Sequence, residues 1–250
     1  MNHISTLGRV CFGVAVAASG VMQLVLHNFV RLVPVLPDWI HAQSTLAVAI
    51  GGVLMVIGLA ISVGKKTGLA AGVLVGLLLC TFLLQRVPEI LAHPEQGFIW
   101  TNPAKVCALL GGTLTLALVQ STWSARTGAG AAWLLGIFLL ICGVQHFWYA
   151  AFVDTLVPTW IPPSQRFWTY FAGMALLAGG LGVILPQTRR WAGVLTGVMV
   201  FLWVLLFHIP RSVEMKSAFE LAGVFEALAI SGVAWLVAGH VASERARPAA

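Results

Sequence analysis

The side chains with chemistry to offer are few, and their spacing groups them. His146, His208 and Glu226 stand in strongly apolar surroundings. Imidazole and carboxylate exchange protons near neutral pH when burial and neighbours shift their pKa values. These three are therefore the candidate catalytic residues. Gln23, His27 and Arg31 fall at i, i+4 and i+8, which is one face of a helix. Gln23, His27, Arg86 and Lys105 form a second, cationic candidate centre for binding a cofactor headgroup or an anion. Tyr170 could join the His146 and His208 centre as a further binding residue. Glu220 and Glu226 are six apart, about 240° around a helix, so they cannot both face one centre, and Glu226 is the deeper. The alternative reading of each group is interhelical hydrogen bonding, or snorkelling for the arginines.

What must position these residues follows from composition. Of 250 residues, 59% are hydrophobic and 9% charged, against about 45–50% and about 25% in soluble domains. So few charges cannot cover a water-exposed surface, which excludes a soluble enzyme, a disordered chain and a coiled coil. The fold class expected is all-α, a polytopic membrane protein. Eight stretches have roughly the 20 apolar residues needed to span a bilayer, at about 7–30, 43–63, 67–87, 103–122, 131–152, 167–186, 191–209 and 219–239. Pro88 is expected to end the third and Pro210 the seventh. Among the tryptophans, Trp203 alone falls at mid-membrane depth.

The two halves match at an offset of about 121–124 residues. Gly13, Gly20, Gly51 and Gly58 align with Gly136, Gly143, Gly173 and Gly180, and AGVLVG (71–76) aligns with AGVLTG (192–197). The expected domains are a four-helix repeat over 1–126 and another over 127–250, as two parallel four-helix bundles. Each has an outer loop rich in Pro and Trp, VPVLPDWI and VPTWIPP. Within this alignment His146 corresponds to Gln23 and His208 to Arg86.

Charge gives the expected orientation. Arg9, Lys65, Lys66, Arg126, Arg189, Arg190, Arg245 and Arg247 fall on one side, opposed there only by Glu244. More than the whole net charge of +6 lies on that side, which is expected to be cytoplasmic, with both termini. The basic pI of about 9.6 therefore reports topology, and no nucleic-acid partner is expected.

The four cysteines form no CxxC, and no phosphate loop, dinucleotide fingerprint or nucleophile elbow is present. A Cys80–Cys107 pair is geometrically conceivable, inert buried thiols being the plainer reading. His146 and His208 have the ligand types for haem, and with Glu226 for a transition metal. His208, so near the expected helix end, suits haem poorly.

The segment GVQHFWYAAFVDTLVPTWIPP, the glycines of the sixth span and FHIPR closing the seventh resemble the DoxX-like family of bacterial membrane proteins. The resemblance covers roughly 131–239, and the first half looks like a diverged copy. It implies a multi-pass protein of the bacterial inner membrane, associated with a quinone-linked redox complex or with the assembly of membrane proteins. The expected function is an accessory or assembly subunit of a membrane redox complex, with a protein partner in the membrane or periplasm. A quinone-interacting component, with quinone as cofactor at a His/Glu proton-coupled site near the outer leaflet, is the alternative. A small-solute or anion carrier is a third.

Overall fold

The computed structural model describes residues 3–30, 43–118 and 124–245, excluding the side chains of 124–125 and 241–245. Arg31 and the loop VPVLPDWI lie outside the described residues. No strand occurs among the residues described. Seven helices are long and apolar enough to cross a membrane. They are α1 (His3–Leu26), α2 (Gln43–Val63), α3 (Thr67–Ala92), α5 (Ser124–Trp148), α6 (Gln165–Ile184), α7 (Arg189–Met215) and α8 (Ala218–Arg245). The remaining long helix, α4 (Thr101–Ala117), has 17 residues, fewer than the roughly 20 of a full crossing.

The helices form a ring in chain order, α1 on α2, α2 on α3 and so on, closed by α8 against α1. α8 and α4 also pack on each other inside it, and both are heavily buried. Each half's first helix thus packs against the other half's fourth: α1 on α8, and α5 on α4. The halves do not stand apart as two closed four-helix bundles.

Glycine makes the tightest seams. A Cβ added at Gly58 would lie 2.7 Å from the Gly13 carbonyl, and one at Gly180 would lie 2.9 Å from that of Gly136. Gly20 meets Gly51 and Gly143 meets Gly173 in the same manner. Small residues let membrane helices approach backbone to backbone, where dispersion and weak polar contacts replace the missing hydrophobic drive. The aligned glycines therefore meet as aligned pairs, α1 with α2 and α5 with α6.

The prolines do not end their helices. α3 contains a π-helical turn over Phe82–Arg86 and runs on to Ala92, and α7 one over Val204–His208 and runs on to Met215. Proline lacks the N–H and its ring crowds the carbonyl four residues back. Here the preceding N–H reaches one residue further, Val87 to Phe82 and Ile209 to Val204, so the wider turn absorbs the defect. At the opposite end of the molecule arginines cap corresponding helix ends. Arg9 donates to the carbonyls of Ile61 and Ser62, and Arg189 to those of Val183 and Ile184.

Candidate functional site

A cavity of about 550 Å³ lies in the second half. α5 contributes His146, α6 contributes Trp168, Thr169 and Phe171, and α7 a long wall that includes Leu202, Trp203 and His208. The segment after α5 covers it with Val153 and Val157. Most of the wall is apolar and aromatic. Phe171, Leu202 and Leu206 line it and are also exposed on the helix surface, which places its mouth between α6 and α7.

The polar side chains that line it include His146, His208, Arg211 and Glu220. His146 Nδ1 lies 2.7 Å from the Cys142 carbonyl. A carbonyl only accepts, so Nδ1 carries the hydrogen and the neutral ring keeps a free lone pair on Nε2. The ring stacks near Trp203, with centroids 6.4 Å apart. His208 sits in the π-turn, close to Gly223 of α8. Arg211 pairs with Glu220 at 3.0 Å, so the lining carries no net charge when the imidazoles are neutral.

A short helix, Ala150–Asp154, begins the cover. Asp154 accepts from Thr169 Oγ1 and from Arg166 Nε, both at 2.7 Å. The Thr169 hydroxyl foremost, and then Arg166, hold its carboxyl below the ordinary 3.8. Gln165 donates to the carbonyls of Asp154 and Val157. Ser164 accepts from the Phe167 N–H as the N-cap of α6.

Of the residues singled out from sequence, His146 and His208 do meet at one cavity. Glu226 does not join them there. It is not among the lining residues, though it stands near enough to His208 to act on it electrostatically, and it accepts from Lys105 Nζ at 2.7 Å. Glu220 is the carboxylate at the cavity. Tyr170 turns away between two cavity residues, stacked on Phe147 at 5.4 Å and lying under Arg166. His27 leaves the face shared with Gln23, because α1 ends at Leu26 and His27 is exposed with φ +49°. Gln23 is fully buried against α2. Arg86, 7% exposed, pairs with Glu89 at 2.7 Å. His27 is thus apart from Gln23, and the two cations Arg86 and Lys105 are each paired with a carboxylate. Nor do His146, His208 and Glu226 make a metal triad, since no group of three His, Cys, Asp or Glu among the described residues could hold an ion. The cysteines are free, and Cys80 is exposed on the helix surface, not buried.

Sequence reasoning passed over Gln145, Thr169 and the pairing role of Arg211. The one available signal was Trp203, alone among the tryptophans in falling near the middle of an expected span. Residues 135–216 match a family described as a domain of unknown function, DUF8561; no match to the DoxX-like family accompanies it. No curated protein and no solved structure matches the chain. The matched stretch takes in most of the cavity wall.

Proposed function

We propose that this chain is an integral membrane component that holds a lipid-soluble, uncharged amphipath of the quinone class in the second-half cavity, as an accessory subunit of a membrane redox complex. The observation that carries the reading is the cavity itself. An apolar chamber of about 550 Å³ falls within the range of small-molecule sites, and its mouth faces the apolar belt of the helices. The two imidazoles and the balanced Arg211–Glu220 pair suit a neutral headgroup bearing carbonyls or hydroxyls. His146 Nε2 accepts a hydroxyl proton, and its imidazolium donates one to a carbonyl. With no nucleotide or dithiol motif in the sequence, a partner must exchange the electrons, which is why the role is accessory. The DoxX-like resemblance points the same way. The carrier alternative is less well supported, because Arg86 and Lys105, the cations it relied on, are each paired with a carboxylate.

The topology proposed with it is eight crossings, α4 being the short one, in two related units of four. Both termini lie on the cytoplasmic side of a bacterial inner membrane. The repeated glycine seams and the two π-turns support the duplication, and the basic residues at one end support the orientation.

The test is titration of the full chain in lipid nanodiscs with decylubiquinone, read by quenching of tryptophan fluorescence. Saturable quenching, weakened about tenfold by His146→Ala for one lost hydrogen bond, is expected. Quenching that rises without saturation, and equally in the variant, rejects the reading.

A further inference from the structure

α4 and α8 touch through positions that correspond under the repeat. Lys105 and Glu226 are 121 residues apart and share a 2.7 Å hydrogen bond. One helical stretch further, a Cβ at Gly112 would meet the Val233 side chain at 2.6 Å, and these two positions correspond at the same offset. Contacts on either side occur in exchanged pairs. Gly8 meets Gly232, while Ala131, the counterpart of Gly8, meets Gly111, the counterpart of Gly232. Thr101 meets Gln145, while their counterparts Ala222 and Met22 share an apolar cluster. A local twofold axis therefore runs between α4 and α8, and Lys105 and Glu226 stand on it.

A residue on such an axis faces its own counterpart. In a pair of identical halves the position would oppose Lys to Lys or Glu to Glu. The two side chains are only 9% and 13% exposed. Two like charges at this separation and burial repel strongly, and neither recovers its lost hydration. Opposite signs are what the position needs if the halves are unlike. Buried ion pairs add little net stability over apolar residues but penalise wrong partners heavily.

We propose that Lys105 and Glu226 form a charge lock on this axis, which makes the first half's partner the unlike second half and bars the pairing of like halves. The inference rests on the duplication reading. Because position 105 and position 226 are equivalent there, the lock should work with its charges reversed.

The experiment uses the full chain in detergent micelles, comparing wild type, K105E, E226K, the reversed double variant K105E/E226K and the neutral K105M/E226M. Thermal unfolding and the monomer fraction on size exclusion are the readouts. K105E and E226K should each lower the folded-to-unfolded ratio by about a hundredfold or more and lose the monomer peak. K105E/E226K should return to within about tenfold of wild type, as should K105M/E226M, in which no charge is left unpaired. Wild-type behaviour of either single variant overturns the lock. Damaged single variants with an equally damaged K105E/E226K overturn the axis, and with it the duplication reading.

Discussion

Thr101 donates its hydroxyl hydrogen to the Gln145 side-chain carbonyl at 2.6 Å, joining the start of α4 to the last turn of α5. The same amide donates to the Gly97 carbonyl at 2.7 Å. Gln145 is the residue before His146, so this clamp from the first half sets where the second half presents its imidazole.

Gln145→Leu removes both bonds and is expected to cost about 1–2 kcal/mol of stability. In a double-mutant cycle with Thr101→Val the coupling should fall near 0.6–1.7 kcal/mol, the range of hydrogen bonds between membrane helices. Thermal unfolding in micelles measures it. Additive losses would mean that the clamp carries no energy.

The glycine seams predict a contrast between identical substitutions. A Cβ at Gly58 would lie 2.3 Å from the Ala17 nitrogen, while one at Gly76 meets nothing within 4 Å. Gly58→Ala should destabilise by about 1–3 kcal/mol by overpacking. Gly76→Ala should be neutral or stabilise by up to about 1 kcal/mol through reduced chain entropy. Equal melting temperatures for the two variants would contradict the seam.

Filling the cavity separates binding from folding. Ala172 lines it, and Ala172→Phe adds a ring into open space. The variant should melt at or above the wild-type temperature and lose saturable quenching by decylubiquinone. Retained binding would place the ligand elsewhere.

The cover over the cavity should respond to acid. Asp154 has a lowered carboxyl pKa, so it binds its proton more weakly folded than unfolded. Its contribution is present in full above the ordinary value of 3.8 and is lost as pH falls through the lower folded value. Protease cleavage within 155–164 should therefore rise below about pH 4 in the wild type. Asp154→Asn should be cleaved more readily at neutral pH and lose that pH dependence.

Much of this protein was legible along the chain. Hydropathy is a local property, so the second span, expected at 43–63, is the helix Gln43–Val63. The glycines also announced themselves, because only a residue without a side chain is retained where two backbones touch, and the aligned ones do meet in pairs. Pro88 and Pro210 misled, since a π-turn lets a helix pass a proline that would otherwise stop it. The helical period fixes the angle of a side chain on its own helix. It sets Glu220 and Glu226 at different angles on α8 but cannot say which neighbour stands at either angle. Packing decided that: Glu220 meets Arg211 at the cavity and Glu226 meets Lys105 between α4 and α8. It turned Tyr170 away between Thr169 and Phe171, and it paired each cation of the expected binding centre with a carboxylate. The sequence by itself determined that few charges enter the apolar interior. Only the tertiary structure decided their partners, because a buried charge must find its opposite in space and the chain does not encode that distance locally.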